Sequence, residues 1–108
     1  MGTLSTHVLD TSLGQPAQGV HVSLVTLAGA ALDEGTTDAD GRIGTIGPER
    51  LEPGHYRLRF DSGAYFAASR TTAFYPEVAI AFTITDADEH YHVPVLLNPF
   101  GYATYRGS

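Results

Sequence analysis

HYHVPVLLNPFGYATYRGS, residues 90–108, carries the pattern that decides the fold. Residues along a strand alternate between its two faces. Tyr91, Val93 and Val95 therefore share one apolar face, and His90, His92 and Pro94 share the other. Asn98-Pro99-Phe100-Gly101 then reads as a hairpin-type turn, because its residue types supply turn geometry. The chain returns as a final strand over 101–108, with Tyr102, Thr104, Arg106 and Ser108 on one face.

The same two-residue period recurs upstream. LSTHVLDT (4–11), HVSLVTL (21–27), residues 31–37, HYRLRFD (55–61) and EVAIAFTIT (77–85) all read as short strands. Tyr56, Leu58 and Phe60 line one inward face; Val78, Ile80, Phe82 and Ile84 line another. The twelve glycines and six prolines punctuate the chain between these runs. Thr37-Asp38-Ala39-Asp40-Gly41-Arg42 reads as a tight turn, since Asp bonds its own backbone and Gly tolerates positive φ. Its opening resembles a calcium loop but lacks the downstream Glu. Residues 62–70 are alanine-rich and predict two turns of helix with Ser62 as N-cap. Seven or eight short strands and one short helix predict an all-β, antiparallel β-sandwich, a single domain over 1–108. Its exposed edges invite pairing between subunits.

Composition narrows the chemistry. The 108 residues contain no cysteine, which removes disulfides, thiolate metal sites and cysteine nucleophiles. Net charge is −6 and all six cationic side chains are arginine, so the chain lacks the basic footprint of a nucleic-acid or anionic-membrane binder. No run reaches the length of a membrane span, and the start has no secretory pattern. The expected compartment is the cytoplasm, with the periplasm or peroxisome open should a native leader be missing.

The candidate site residues have competing readings. His90 and His92 suit solvated positions on an outer face, two ligands of a zinc site with no local third, or acid–base chemistry. His7 shares its face with Ser5 and Leu9. Tyr102, Thr104, Arg106 and Ser108 suit either an exposed edge strand or a grip on a small polar heterocycle, Arg offering a planar donor fork.

LSTHVLD, TDADGR, FYPEVAIAFTI and the HYHVPVLL…YRGS ending together resemble the 5-hydroxyisourate hydrolases, the transthyretin-related proteins of purine breakdown. Phe100 stands where that family often has tyrosine. The histidine set and the terminal YRGS separate the hydrolases from transthyretin itself. The resemblance implies a transthyretin-like sandwich of two four-stranded sheets. It also implies a homotetramer, built as a dimer of dimers, with sites in a channel at the dimer–dimer interface. It implies hydrolysis of 5-hydroxyisourate without metal or other cofactor. Its site residues fall on His7, Arg42, His92 and Ser108 for catalysis, and on His7, Arg42, Tyr105, Arg106, Gly107 and Ser108 for substrate binding, with His90 beside them. The alternative is a transthyretin-like carrier that binds a small aromatic ligand without turnover. A zinc-assembled structural sandwich, held through His90 and His92, is a further one.

Overall fold

A computed structural model of the chain describes residues 3–107. The elements run β1 (Leu4–Asp10), β2 (Gln15–Pro16), β3 (His21–Thr26), β4 (Ala31–Thr36), β5 (Arg42–Ile43), β6 (Gly54–Phe60), α1 (Ser62–Ala68), β7 (Val78–Ile84), β8 (Tyr91–Asn98) and β9 (Gly101–Thr104). One sheet has the order β4-β3-β6-β7; the other has β2-β1-β8-β9, with β5 also paired to β1. The two short strands share one edge of β1: Leu9 and Asp10 face β2, while Thr6 and His7 face β5. Among the described residues this second sheet therefore has five strands rather than four, because two-residue pieces leave no periodic signal to read.

The sandwich is antiparallel with one exception. β1 and β8 run parallel, from Leu4 opposite Tyr91 to Asp10 opposite Leu97. Alternation places side chains on faces but carries no information on strand direction, so this pairing was not legible in the residues alone.

The core lies where the inward faces meet. Leu4 and Val8 of β1, Val22 and Leu24 of β3, Leu58 and Phe60 of β6, and Val93, Val95 and Leu97 of β8 are all buried. Phe60 is fully enclosed. Phe60→Ala is expected to cost about 3–5 kcal/mol, through lost transfer energy and the cavity left behind. Denaturant unfolding checks this, and a loss below 1 kcal/mol would contradict the packing.

The helix starts one residue earlier than expected. Asp61, not Ser62, is its N-cap, and it makes no side-chain capping bond. Ser62 is instead the first helical residue, buried, with its hydroxyl unpartnered. A second anchor compensates: the Tyr65 hydroxyl donates to the buried Asp10 carboxylate at 2.7 Å, tying α1 to the end of β1. Burial alone would raise the Asp10 pKa, but bonds from Ser12, Tyr65 and Leu13 outweigh it and leave it lowered. Tyr65 is pushed up to about 12 by burial and by that carboxylate. No helix among the described residues is long and apolar enough to cross a membrane.

Candidate active site

The outer face of the β2-β1-β8-β9 sheet holds the polar cluster. Burying Leu4, Thr6 and Val8 turns Ser5 and His7 outward along β1. Burying Tyr91, Val93 and Val95 does the same for His92 on β8. Register then brings the two strands' polar residues side by side: Ser5 stands opposite His92, and His7 stands opposite Arg42 of β5. Ser5, Thr6, Arg42, Ile43, Gly44, His90 and His92 line an open cleft of about 270 Å³.

The turn before β5 explains how Arg42 reaches this place. The Asp38 carboxylate accepts the backbone N–H groups of Asp40 at 2.9 Å and Arg42 at 3.0 Å. Gly41 takes φ +74° there, and a Cβ at that position would lie 2.3 Å from the Val8 carbonyl oxygen. Only glycine lets the turn lie this close to β1. The bond from the Arg42 N–H, helped by that from Asp40 and by the charges of Arg42 and His7, holds the Asp38 carboxyl below its usual range. His7 Nε2 donates to the Asp40 carbonyl at 2.9 Å, so strand and turn are fastened together.

His92 is gripped on both sides of its ring. Its Nδ1 lies 2.7 Å from Ser5 Oγ, and Ser5 Oγ lies 3.0 Å from His90 Nε2. On the other side the Gly107 N–H donates to the His92 carbonyl at 2.8 Å. A Cβ on Gly107 would sit 2.5 Å from His92 Cδ2. The terminal segment thus closes against the imidazole because residue 107 has no side chain. Partial burial lowers the His92 pKa below 6.5, and the nearby charges of Arg42, His7 and His90 add to the effect. The shift favours the neutral imidazole, which has a lone pair available.

The structure gathers His7, Arg42, His90, His92 and Gly107 on one face. Tyr105 and Arg106 stand at a neighbouring cleft that His92 also lines. β9 ends at Thr104, but Gly107 still bridges His92 in the same antiparallel register. The Arg106 guanidinium lies 4.7 Å above the Tyr91 ring and pairs with Glu89 at 3.8 Å. Tyr105 and Arg106 line this second cleft, of about 310 Å³, with Ile80, Phe82, Tyr91 and His92. Ser108 lies outside the described residues. Among those described, no group of three or more His, Asp or Glu comes together to hold a metal ion.

Residues 4–107 match the family model described as HIUase/Transthyretin family. The chain belongs to this family. The 5-hydroxyisourate hydrolase of Salmonella dublin is 46% identical over 109 residues, covering 97% of this chain and 80% of the relative. A solved 5-hydroxyisourate hydrolase from Klebsiella pneumoniae superposes with a TM-score of 0.91 at 44% identity, covering 98% of this chain and 99% of that one. Transthyretin from Sparus aurata superposes at 0.88 with 30% identity, covering 99% and 97%. The HIUase/Transthyretin match spans every element that carries the cluster, from β1 to Gly107.

Sequence reasoning noted Ser5 only as a neighbour of His7 on one strand face. Its place between two imidazoles follows from the β1–β8 register, which the residues do not encode locally.

Proposed function

We propose that this chain hydrolyses 5-hydroxyisourate to 2-oxo-4-hydroxy-4-carboxy-5-ureidoimidazoline. The observation that carries the reading is a half-buried His92, its pKa lowered by burial, lining the same cleft as Arg42 in a chain similar to 5-hydroxyisourate hydrolases. His92 takes a proton from water, and the hydroxide adds to the ring carbonyl. Arg42 stabilises the oxyanion that develops on that carbonyl oxygen. The amide-type C–N bond then breaks, the leaving nitrogen takes the proton, and a carboxylate remains. His7, fastened through Nε2, keeps Nδ1 free to bond a ring substituent. Tyr105, Arg106, Gly107 and Ser108 complete the grip on substrate in a homotetramer, a dimer of dimers whose second half closes over the outer sheet face. The working compartment in this reading is the cytoplasm.

The test is direct. 5-Hydroxyisourate generated in situ from urate and uricase decays spontaneously, and its ultraviolet absorbance is followed with and without the protein, in chelator. Faster decay is expected. An unchanged rate with folded protein would return the chain to the carrier reading. The pH dependence is a further check. The general base works in its neutral form, and the His92 pKa is lowered, so activity survives to more acidic pH than for an ordinary histidine. The acid limb of kcat/KM is expected to have its midpoint below 6.5. A midpoint at or above that value would remove His92 as the base.

A further inference from the structure

We infer that Ser5 and His90 are positioning residues: with Thr3 they form a hydrogen-bonded line that holds the His92 proton on Nδ1 and leaves Nε2 bare toward the cleft. The inference rests on the reading of His92 as the base.

The line is continuous. Thr3 Oγ1 lies 2.5 Å from His90 Nδ1, His90 Nε2 lies 3.0 Å from Ser5 Oγ, and Ser5 Oγ lies 2.7 Å from His92 Nδ1. Proton counting leaves two orders when both histidines are neutral. Each neutral imidazole has one N–H, and the Ser5 hydroxyl has one hydrogen between two ring nitrogens. Ser5 must accept from one ring and donate to the other. In the first order His92 Nδ1–H donates to Ser5, Ser5 donates to His90 Nε2, and His90 Nδ1–H donates to Thr3. In the second every bond is reversed, and His92 carries its proton on Nε2.

Charge selects the first order. The groups around His92 are Ser5 and His7 from β1, Arg42 from β5, His90 just before β8, and Tyr105, Arg106 and Gly107 from the terminal segment. Arg42 and Arg106 are the permanent cations among them; Arg42 shares the cleft of Ser5 and His90 with His92 and is the arginine whose charge acts on its imidazole. A lone pair toward that cation is favoured, and an N–H toward it is disfavoured. Geometry agrees. Ser5 occupies the Nδ1 side and Gly107 packs against Cδ2, so the ring tip, Cε1 and Nε2, is what remains for the cleft. Ser5 is a buried relay of orientation: it touches no reacting atom, yet it decides which nitrogen can take a proton from water.

Histidine-selective 15N labelling and long-range 1H–15N correlation at about pH 8, where imidazoles are neutral, read the tautomer without substrate. Wild-type His92 is expected to show Nδ1 protonated and Nε2 bare. Ser5→Ala removes the acceptor for Nδ1–H, and His92 should shift toward Nε2–H. Its kcat should fall at least about tenfold, because a misplaced proton removes the base, with KM within about twofold. His90→Ala leaves Ser5 free to donate to His92 and should move the tautomer in the same direction. Ser5→Thr keeps the hydroxyl and should restore both readouts. Wild-type His92 protonated on Nε2, or a Ser5→Ala protein with unchanged tautomer and kcat, would overturn the inference. The spectra need no substrate, so an inactive wild type would sink the hydrolase reading without deciding this one.

Discussion

His92→Ala is expected to lower kcat for 5-hydroxyisourate by about 10²–10⁴, the usual cost of losing a general base. The fold should survive, because His92 sits on the outer sheet face while Tyr91, Val93 and Val95 beside it fill the core. Single-turnover decay of in situ substrate, with circular dichroism as the folding control, measures both. A folded variant within threefold of wild type would take His92 out of the mechanism. The same substitution has a second signature. The folded-state pKa of His92 is below the unfolded value of 6.5, so the unfolded chain binds more protons as the solution acidifies. Wild-type stability attributable to this group is intact above about pH 6.5 and declines as pH falls through that value toward the folded-state pKa. His92→Ala lacks the group, so its stability should fall less steeply over the same window.

Gly107→Ala should lower kcat by about 10²-fold while leaving the strand pairings of the sandwich in place. The added methyl would lie 2.5 Å from His92 Cδ2 and 3.2 Å from Pro94 Cγ. The first separation is far inside contact distance and the second is tight, so either the imidazole rotates or the terminal segment lifts away. Each outcome misplaces a reacting group by about 1 Å, which costs about a hundredfold when geometry sets the rate. Steady-state kinetics together with the 15N shifts of His92 test it. Wild-type kcat with an unmoved imidazole would show that the approach of residue 107 is unimportant.

The sandwich was readable because burial and period two agree in β6, β7 and β8. Leu58 and Phe60, Val78 and Ile84, and Val93 and Val95 are buried where alternation put them inside. The same logic placed His90 and His92 on the outer face. The Asp38–Arg42 turn was legible from its residue types, and its carboxylate does bond the backbone two and four residues on. Three things were hidden. The parallel β1–β8 pairing depends on distant residues meeting, which no local spacing records. Arg106 lies over Tyr91 and pairs with Glu89, a tertiary choice that a polar-out pattern cannot anticipate. Ser62 looked like a cap because of its type, yet the chain turns at Asp61 once Phe60 is buried.

The parallel ladder also sets when the site comes into being. Ser5 and His92 are 87 residues apart in a chain of 108. Hairpins such as β3–β4 and β8–β9 close short loops and can form early. Joining β1 to β8 closes a loop of nearly the whole chain, the kind of non-local step that slows all-β folding to milliseconds or seconds. During synthesis β1 must wait, its hydrogen-bonding edge unmet, until β8 has left the ribosome. Enzymatic competence therefore waits on the joining of β1 to β8, and turnover in a refolding experiment should lag the appearance of strand signal.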